Sequence, residues 1–383
     1  MQAEIIKTPV TIQTINLASP FEPGIMKQPL QQAFANKRQS TRRNGKPIFN
    51  YHYNPDEEVD VFYEADQVWY KFSFVSGRSG YDNPIPVEQI PPTSAVAVMA
   101  QHTSPKNRPC PFCSAQKADS TIHEEILCYA SLANNTHKDI FLMNVNEYAE
   151  DHMCMVEQGE QAQVLTQSRI KKALLYAKAL GPDYEGLFNS AGAATVNHYH
   201  VPFCKKKSPV WRNLEEQRVT ITNAQQINQI VHGELSKNWV RSRFFKGKDL
   251  DELCRQIYWE VKDLQQKNII HNCKFIYQQD GSFVWLMSPR LNGYMTYVYH
   301  FLEPVGTPES GLVNTCGSIE IPGGDAIMFF ELPNKLSAMQ KQIMAQRFKK
   351  SLDKTCDRQW QPPCYKRYLD LTANTSIESI NCD

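Results

Sequence analysis

The sequence predicts an α+β fold in which two successive units each combine strands with a packed helix. In the first unit, apolar strand candidates at Ile140–Val145 and Tyr184–Phe188 flank a helical segment over about 162–180. In the second unit, a helical stripe over 250–264 precedes two apolar runs that flank Asp280-Gly281. Because the elements follow a similar order in both halves, we expect the second unit to be a degenerate copy of the first that lacks its His-x-His motif.

The chain is expected to divide into an N-terminal arm and these two units. Residues 1–50 are polar and contain several prolines and basic residues such as Lys37 and Arg43, which is typical of an irregular surface arm. The alternative is that an arginine of the arm reaches an anionic substrate, because Arg suits bidentate phosphate recognition. Residues 51–207 are assigned to the first unit and residues 208–383 to the second.

Local signals support the helices and the hairpin. The first helix carries apolar residues at mixed three-to-five spacing, namely Val164, Leu165, Ile170, Leu174 and Leu175, and Gly181-Pro182 should end it. The second carries the stripe Leu250, Leu253, Ile257, Val261 and Leu264. Asp249 with Glu252 predicts its N-terminal cap. Asp280-Gly281 predicts a hairpin, and a last amphipathic helix is expected over about Asn334–Leu352.

Composition excludes several classes of function. The chain has 383 residues, 42% of them hydrophobic, and a formal net charge of +1, so no global field indicates binding to nucleic acid or to a membrane surface. The first thirty residues lack the apolar stretch of a secretory signal, and no apolar run approaches the roughly 20 residues that span a bilayer. Eleven scattered cysteines fit a reducing compartment, so a cytoplasmic location is expected.

The segment from Asn189 to His200 indicates the chemistry. A strand candidate runs into a turn of small residues, and His198 and His200 follow on an extended stretch. Side chains two residues apart in a strand point to the same face, so the two imidazoles should lie side by side. Backbone N–H groups of a small-residue turn can approach a phosphate closely. A histidine nucleophile beside a phosphate site is suited to moving a nucleotidyl or phosphoryl group.

Cys110 and Cys113 have the spacing of a pair that binds one metal ion. Together with His152 and His198 they would form a Cys2His2 zinc site that links the cysteine segment to the histidine segment. Two other interpretations stay open. Cys-Pro-Phe-Cys is similar to the redox pair of glutaredoxins, in which a thiolate of low pKa lies at a helix N-terminus. In the second interpretation, the two cysteines bind no ligand at all.

These motifs together resemble those of the histidine-triad-like superfamily. The resemblance depends on Arg108–Cys113, Asp151-His152 and Asn189–His200, with weaker similarity at Ser288–Arg290 and Cys316–Pro322. It is to the branch with galactose-1-phosphate uridylyltransferase, diadenosine tetraphosphate phosphorylase and GDP-L-galactose phosphorylase. The resemblance implies two histidine-triad-like units, each an antiparallel sheet with packed helices. Members of this branch often form homodimers.

The resemblance also implies roles for individual residues. His200 would be the nucleophile that forms a nucleotidyl-histidine with a nucleotide or nucleotide-sugar substrate, which inorganic phosphate, a sugar phosphate or water then releases. Structural zinc would bind Cys110, Cys113, His152 and His198. The substrate phosphates would contact Asn189, Gly192 and Thr195.

Pro202 is a departure from the pattern of the family. The transferases and phosphorylases usually have glutamine two residues after the nucleophile, whereas this chain has Pro202, which offers no N–H and no side-chain donor. Lys205 is a candidate to replace that contact, and Arg290 is a further candidate phosphate ligand.

From the motifs and the resemblance, we expect a nucleotidyltransferase or phosphorylase acting on a nucleoside diphosphate sugar or dinucleoside polyphosphate. The alternatives are a nucleotide hydrolase of the same fold and a non-catalytic nucleotide-binding protein.

Overall fold

The computed structural model confirms an α+β fold. It describes residues 12–18, 20–48, 55, 58–65, 67–75, 110–132, 138–145, 147, 149–159, 162–190, 194, 196, 198–206, 208–236, 242–267, 269, 271–289, 312–314 and 318–322. The helix expected over Asn334–Leu352 lies outside these residues. Of the helices in the described part of the chain, none is long and apolar enough to span a bilayer.

Five α-helices, a 3-10 helix at Thr121–Glu125 and fifteen strands are present among the described residues. The helices are α1 (Lys27–Arg38), α2 (Pro111–Ala115), α3 (Gln167–Leu180), α4 (Pro209–Glu215) and α5 (Leu250–Gln266). The strands that form the larger sheet are β1 (Gln13–Leu17), β4 (Ile126–Leu132), β5 (Asp139–Met143), β6 (Met153–Val156), β7 (Tyr184–Asn189), β8 (His200–Lys205), β9 (Ile221–Ile227), β10 (Ile230–Leu235), β11 (Arg243–Gly247), β12 (His271–Tyr277) and β13 (Phe283–Pro289). A smaller sheet contains β2 (Glu58–Tyr63), β3 (Val68–Val75), β14 (Leu312–Asn314) and β15 (Ser318–Pro322).

The larger sheet joins the two halves of the chain. Its order is β1-β4-β5-β6-β8-β7-β12-β13-β11-β10-β9. Toward the middle of the sheet, the first half runs β4-β5-β6-β8-β7 and the second half runs β9-β10-β11-β13-β12, so the fourth and fifth strands of each half exchange places. In each half, one long helix precedes the fourth strand along the chain. Strands β7 and β12 meet in the middle as an antiparallel pair. The two halves share one continuous sheet, and their division into a first unit and a degenerate second unit stays a prediction.

Helices α3 and α5 cover one face of the sheet and pack against each other. The cap of α3 is the hydroxyl of Thr166, which accepts a hydrogen bond from the N–H of Arg169, and α3 ends at Gly181, whose φ of 90° suits glycine. Asp249 caps α5 by accepting from the N–H of Glu252 at 3.1 Å, as the sequence predicts. Gly281 at φ 82° closes the predicted hairpin between β12 and β13.

A buried ion pair joins the two halves on the face of the sheet opposite α3 and α5. Glu185 on β7 accepts hydrogen bonds from Trp211 Nε1 at 2.5 Å and from Ser208 Oγ at 2.8 Å. Lys274 on β12 lies 3.9 Å from the same carboxylate and also contacts Ser208. Both charged side chains are almost fully buried. A buried ion pair is weak evidence for added stability, but removal of one partner is strongly destabilising.

Residues 12–18 and 20–48, the described part of the segment expected to be an irregular arm over residues 1–50, contain a strand and a helix, which corrects that expectation for this part. Strand β1 adds to the sheet edge in parallel with β4, and α1 packs beside the same strand. Leu17, Leu30 and Phe34 are buried in the main core. Leu30 and Phe34 lie four residues apart on one face of α1, and this short apolar face is the part of α1 that packs into the core.

Candidate active site

The site forms where β7 and β8 separate. The two strands pair from Tyr184↔Lys205 to Gly186↔Phe203. Strand β8 begins at His200, three residues before Phe203, so its first three residues lie beyond this pairing. On its other side, β8 pairs with β6 along its length from His200 to Phe203. His200 therefore lies at the open end of a split between two central strands, fixed to the sheet on one side.

The imidazole of His200 is oriented by one hydrogen bond. Its Nδ1 lies 2.7 Å from the carbonyl oxygen of His198, and because a carbonyl can only accept, Nδ1 carries the proton. The lone pair is therefore on Nε2. Burial lowers the pKa of His200 to about 4, although the hydrogen bond to His198 acts in the opposite direction. The ring is thus neutral at pH 7, which is the form that can act as a nucleophile.

Cys110, Cys113 and His198 form a cluster that could hold a metal ion. Nδ1 of His198 lies 3.6 Å from Sγ of Cys110 and 3.4 Å from Sγ of Cys113, and all three ligand atoms lie within 4.8 Å of one another. A thiolate and an imidazole on one tetrahedral zinc ion, at about 2.3 Å and 2.0–2.1 Å from the metal, are about 3.6 Å apart. The spacing of the side chains therefore fits a shared ion.

The second nitrogen of His198 strengthens this interpretation. Nε2 lies 2.6 Å from the carbonyl oxygen of Glu157, so Nε2 carries the proton and the lone pair on Nδ1 faces the two sulfurs. Burial raises the pKa of the Cys110 thiol, but the hydrogen bonds with His198 and with the backbone of Cys113 outweigh burial and lower it overall. A lowered pKa favours the thiolate, which is the form that binds metals.

The cysteine segment also contacts the histidine predicted to react. Cys110 is the N-cap of the short helix α2, with Pro111 in its first turn. The ring of Phe112, which lies between the two cysteines in sequence, has its centroid 4.8 Å from that of His200 and 5.8 Å from that of His198. The cysteine pair therefore positions an aromatic ring against His200.

The structure does not bring His152 to this cluster. His152 directly precedes β6, and β6 runs antiparallel to β8 with Met153 opposite Phe203 and Val156 opposite His200. At about 3.4 Å per residue, this register places His152 roughly 20 Å along the ladder from His198. His152 is buried, and its Nε2 lies 3.4 Å from Nδ2 of Asn144. The segment that borders the cluster follows β6, beginning at Glu157.

Of the predicted phosphate ligands, Asn189 lies at the split. It ends β7 opposite Asn272 of β12, whose side-chain amide donates to Oδ1 of Asn189. Ser190 continues this contact, since its N–H donates to the carbonyl of His271 and its hydroxyl accepts from the N–H of His271. Gly192, Thr195 and Arg290 lie outside the described residues.

Lys205 is not brought to the site. It ends β8, five residues beyond His200, which is about 17 Å at the rise of an extended strand. Its ammonium group contacts Glu150 and lies 4.0 Å from Asp151. A phosphate bound at His200 is beyond the reach of this side chain.

Pro202 is accommodated by the same split. It lies opposite Cys154 of β6, one residue before the pairing of β7 with β8 begins at Phe203. A proline removes one donor from a ladder and is tolerated where pairing stops. The proline is thus compatible with the strand, although it brings no donor toward a phosphate.

Sequence reasoning missed Gln163, Glu157 and Arg169. Gln163 is fully buried, and its amide bonds the backbone of His200 and Asn189. Arg169 donates to Glu157 and to the carbonyls on both sides of Gln163. The sequence marks these residues only by their place in the chain, between β6 and the first turn of α3.

Solved structures provide the comparison for this arrangement. The chain has the fold of yeast Ap4A phosphorylase. The crystal structure of the yeast protein Apa2 matches at a TM-score of 0.54 and 11% identity, over 89% of this chain and 98% of that chain. Its complex with Ap4A matches at 0.53 and 12% identity, over 87% and 98%, and its complex with AMP at 0.50 and 13%, over 85% and 96%.

The likeness to Ap4A phosphorylase is one of fold. No protein-family model matches the chain, and no curated protein sequence matches it. The comparison therefore confirms the fold that the resemblance implies.

Proposed function

We propose that this protein transfers a nucleotidyl group through a covalent intermediate on His200, and that it acts as a phosphorylase or transferase on a dinucleoside polyphosphate or a nucleoside diphosphate sugar. The observation that supports this most is the state of His200, which is neutral, with Nδ1 bonded to His198 and the lone pair on Nε2. The fold is shared with a phosphorylase solved with Ap4A and with AMP. These ligands favour a dinucleoside polyphosphate as the substrate.

The chemistry proceeds in two displacements. Nε2 of His200 forms a bond to the α-phosphorus while the bond from that phosphorus to the bridging oxygen breaks, and the leaving polyphosphate departs with the electron pair. An oxygen of inorganic phosphate then attacks the same phosphorus, and the N–P electron pair returns to Nε2. The products are a nucleoside diphosphate and the free imidazole. His198 stabilises the cationic ring of the intermediate, because its carbonyl accepts from Nδ1 throughout.

We further propose that the cluster of Cys110, Cys113 and His198 binds zinc. Two thiolates and an imidazole are a ligand set that zinc prefers. A bound ion would supply structural cross-linking here, because it would join α2 to the segment that leads into β8. The cross-link would hold the ring of Phe112 against the imidazole and keep water from that face.

Pro202 favours a second candidate function, a nucleotide-binding protein without turnover. The position two residues after the nucleophile lies on the same face of β8 as His200, and proline offers a substrate phosphate no hydrogen-bond donor. A protein of this kind would bind the nucleotide on the same face and form no adduct.

Turnover measurements separate these functions. The purified protein is incubated with Ap4A, with and without inorganic phosphate, and the products are resolved by chromatography. A phosphorylase gives ADP and ATP only when phosphate is present. Release of AMP and ATP without phosphate would indicate a hydrolase, and tight binding without product would indicate the non-catalytic protein. The same assays with a set of nucleoside diphosphate sugars test the other substrate class.

A further inference from the structure

Gln163 closes the gap that opens between β7 and β8. Its Oε1 accepts a hydrogen bond from the N–H of His200 at 2.9 Å, and its Nε2 donates to the carbonyls of Asn189 at 2.9 Å and of His200 at 3.2 Å. One side-chain amide thus bonds both strands at the level of the reacting histidine. Gln163 is fully buried, so water does not compete for these contacts.

We propose that Gln163 is a positioning residue for the reaction of His200, an inference that rests on the proposed function. The ring of His200 is oriented by the carbonyl two residues before it. The direction of Nε2 therefore depends on the backbone between His198 and His200, and Gln163 bonds both the N–H and the carbonyl of His200. Transfer to phosphorus needs an aligned approach, and a displacement of about 1 Å lowers such rates by about 100-fold.

Gln163 is itself held by a charged residue of α3. Arg169 donates to the carbonyls of Ala162 and Val164, each at 3.0 Å, which fixes the backbone on both sides of Gln163. The same guanidinium bonds the carboxylate of Glu157 at 2.7 Å, and the carbonyl of Glu157 accepts from His198. Arg169 therefore supports both histidines, one through Gln163 and the other through Glu157.

The test compares two buried glutamines. Gln163→Met keeps the size of the side chain and removes all three hydrogen bonds. Gln256→Met is the matched control, because Gln256 is also buried and bonds a carbonyl, that of Ile227 at 3.1 Å, in the other half of the chain. Both variants should be less stable to urea. Only Gln163→Met should lower the single-turnover rate of adduct formation with Ap4A, by about 100-fold, while the Kd for AMP changes by less than about threefold.

A conservative variant adds a rescue. Gln163→Glu, which full burial favours in its protonated form, keeps an oxygen that accepts from the N–H of His200 and one O–H that donates to a carbonyl, so its rate should fall between those of the wild type and Gln163→Met. A wild-type rate in folded Gln163→Met would overturn the proposal. An equal loss of rate in Gln256→Met would also overturn it, because the effect would then be one of stability alone.

A measurement without substrate distinguishes failure of this inference from failure of the proposed function. Nitrogen-15 NMR of histidine-labelled protein reports which ring nitrogen of His200 carries the proton. We expect one tautomer, protonated at Nδ1, in the wild type and in Gln256→Met, and exchange between tautomers in Gln163→Met. Absence of any adduct in the wild type would refute the proposed function, whereas an unchanged His200 signal in Gln163→Met would refute the role of Gln163.

Discussion

His271 should make the stability of the protein depend on pH. It begins β12 and is almost fully buried, with the ring of Phe188 beside it at a centroid distance of 6.3 Å. Its Nδ1 donates to the carbonyl of Ile269 at 3.1 Å. Burial lowers the pKa of His271 from its ordinary value of 6.5 to about 4, and the hydrogen bond only partly offsets this. The folded protein therefore keeps this ring neutral at pH values where the unfolded chain protonates it.

The sign and size of the effect follow from linkage. Since the pKa is lower in the folded state, the unfolded chain binds more protons between about pH 6.5 and pH 4, and stability falls as the pH falls through that window. Each unit of pKa difference corresponds to about 1.4 kcal/mol. Between pH 7 and pH 5, this single histidine should therefore remove about 2 kcal/mol from the free energy of unfolding.

Urea unfolding of the wild type and of His271→Gln at pH 7 and pH 5 measures this contribution. Other groups also titrate over this range, but their effects cancel in the difference between the two proteins. We expect His271→Gln to be the less stable protein at pH 7. The difference in free energy of unfolding between the two proteins should be about 2 kcal/mol smaller at pH 5. Parallel curves, with the same gap at both pH values, would show that the folded protein does not hold this ring neutral.

Three further predictions concern stability and metal. Lys274→Met should lower the free energy of unfolding in urea by about 3–5 kcal/mol, because it leaves the buried carboxylate of Glu185 without its cation. Adding Glu185→Leu should recover part of that loss. A decrease below about 1 kcal/mol would contradict this prediction. Gly186→Ala should cost about 1–3 kcal/mol, since a Cβ there would lie 2.2 Å from the ring of Phe275; a neutral effect would show that the ring can move. On the proposed assignment, wild-type protein should retain zinc through dialysis, as measured by elemental analysis, and Cys113→Ser should lose it; equal zinc in both proteins, or none in the wild type, would contradict the assignment.

Elements set by local sequence were predicted well. The cap at Asp249, the end of α3 at Gly181 and the hairpin at Asp280-Gly281 each depend on residues within one turn of the chain. Three of the four predicted metal ligands, Cys110, Cys113 and His198, also lie together. The Cys-x-x-Cys spacing accounts for the cysteine pair, because both cysteines belong to one short helical segment.

Features that depend on strand register were not predictable in the same way. Lys205 is close to the His-x-His motif in sequence, and the resemblance groups His152 with it. The antiparallel pairing of β6 and β8 nevertheless places both residues at the end of the strands that lies away from His200. Spacing along the chain does not specify which residues face each other across a sheet. Gln163 was missed for a related reason, since an isolated polar residue in a loop shows its role only when β7 and β8 are seen to separate.

The N-terminal arm was misjudged because its composition is polar. Leu30 and Phe34 gain their stabilising burial from packing beside β4, which is far away in sequence. Helices that depend on tertiary contact give weak local signals.

Intact-protein mass spectrometry after mixing with Ap4A tests the central claim most directly, because it detects a nucleotide covalently attached to the chain. We predict an adenylyl adduct on the wild-type protein, located by peptide mapping at His200, and none on His200→Ala. The matched control, His271→Gln, alters another buried neutral histidine and should form the adduct normally. An adduct that persists in folded His200→Ala, or that maps to another residue, would contradict the assignment of His200 as the nucleophile.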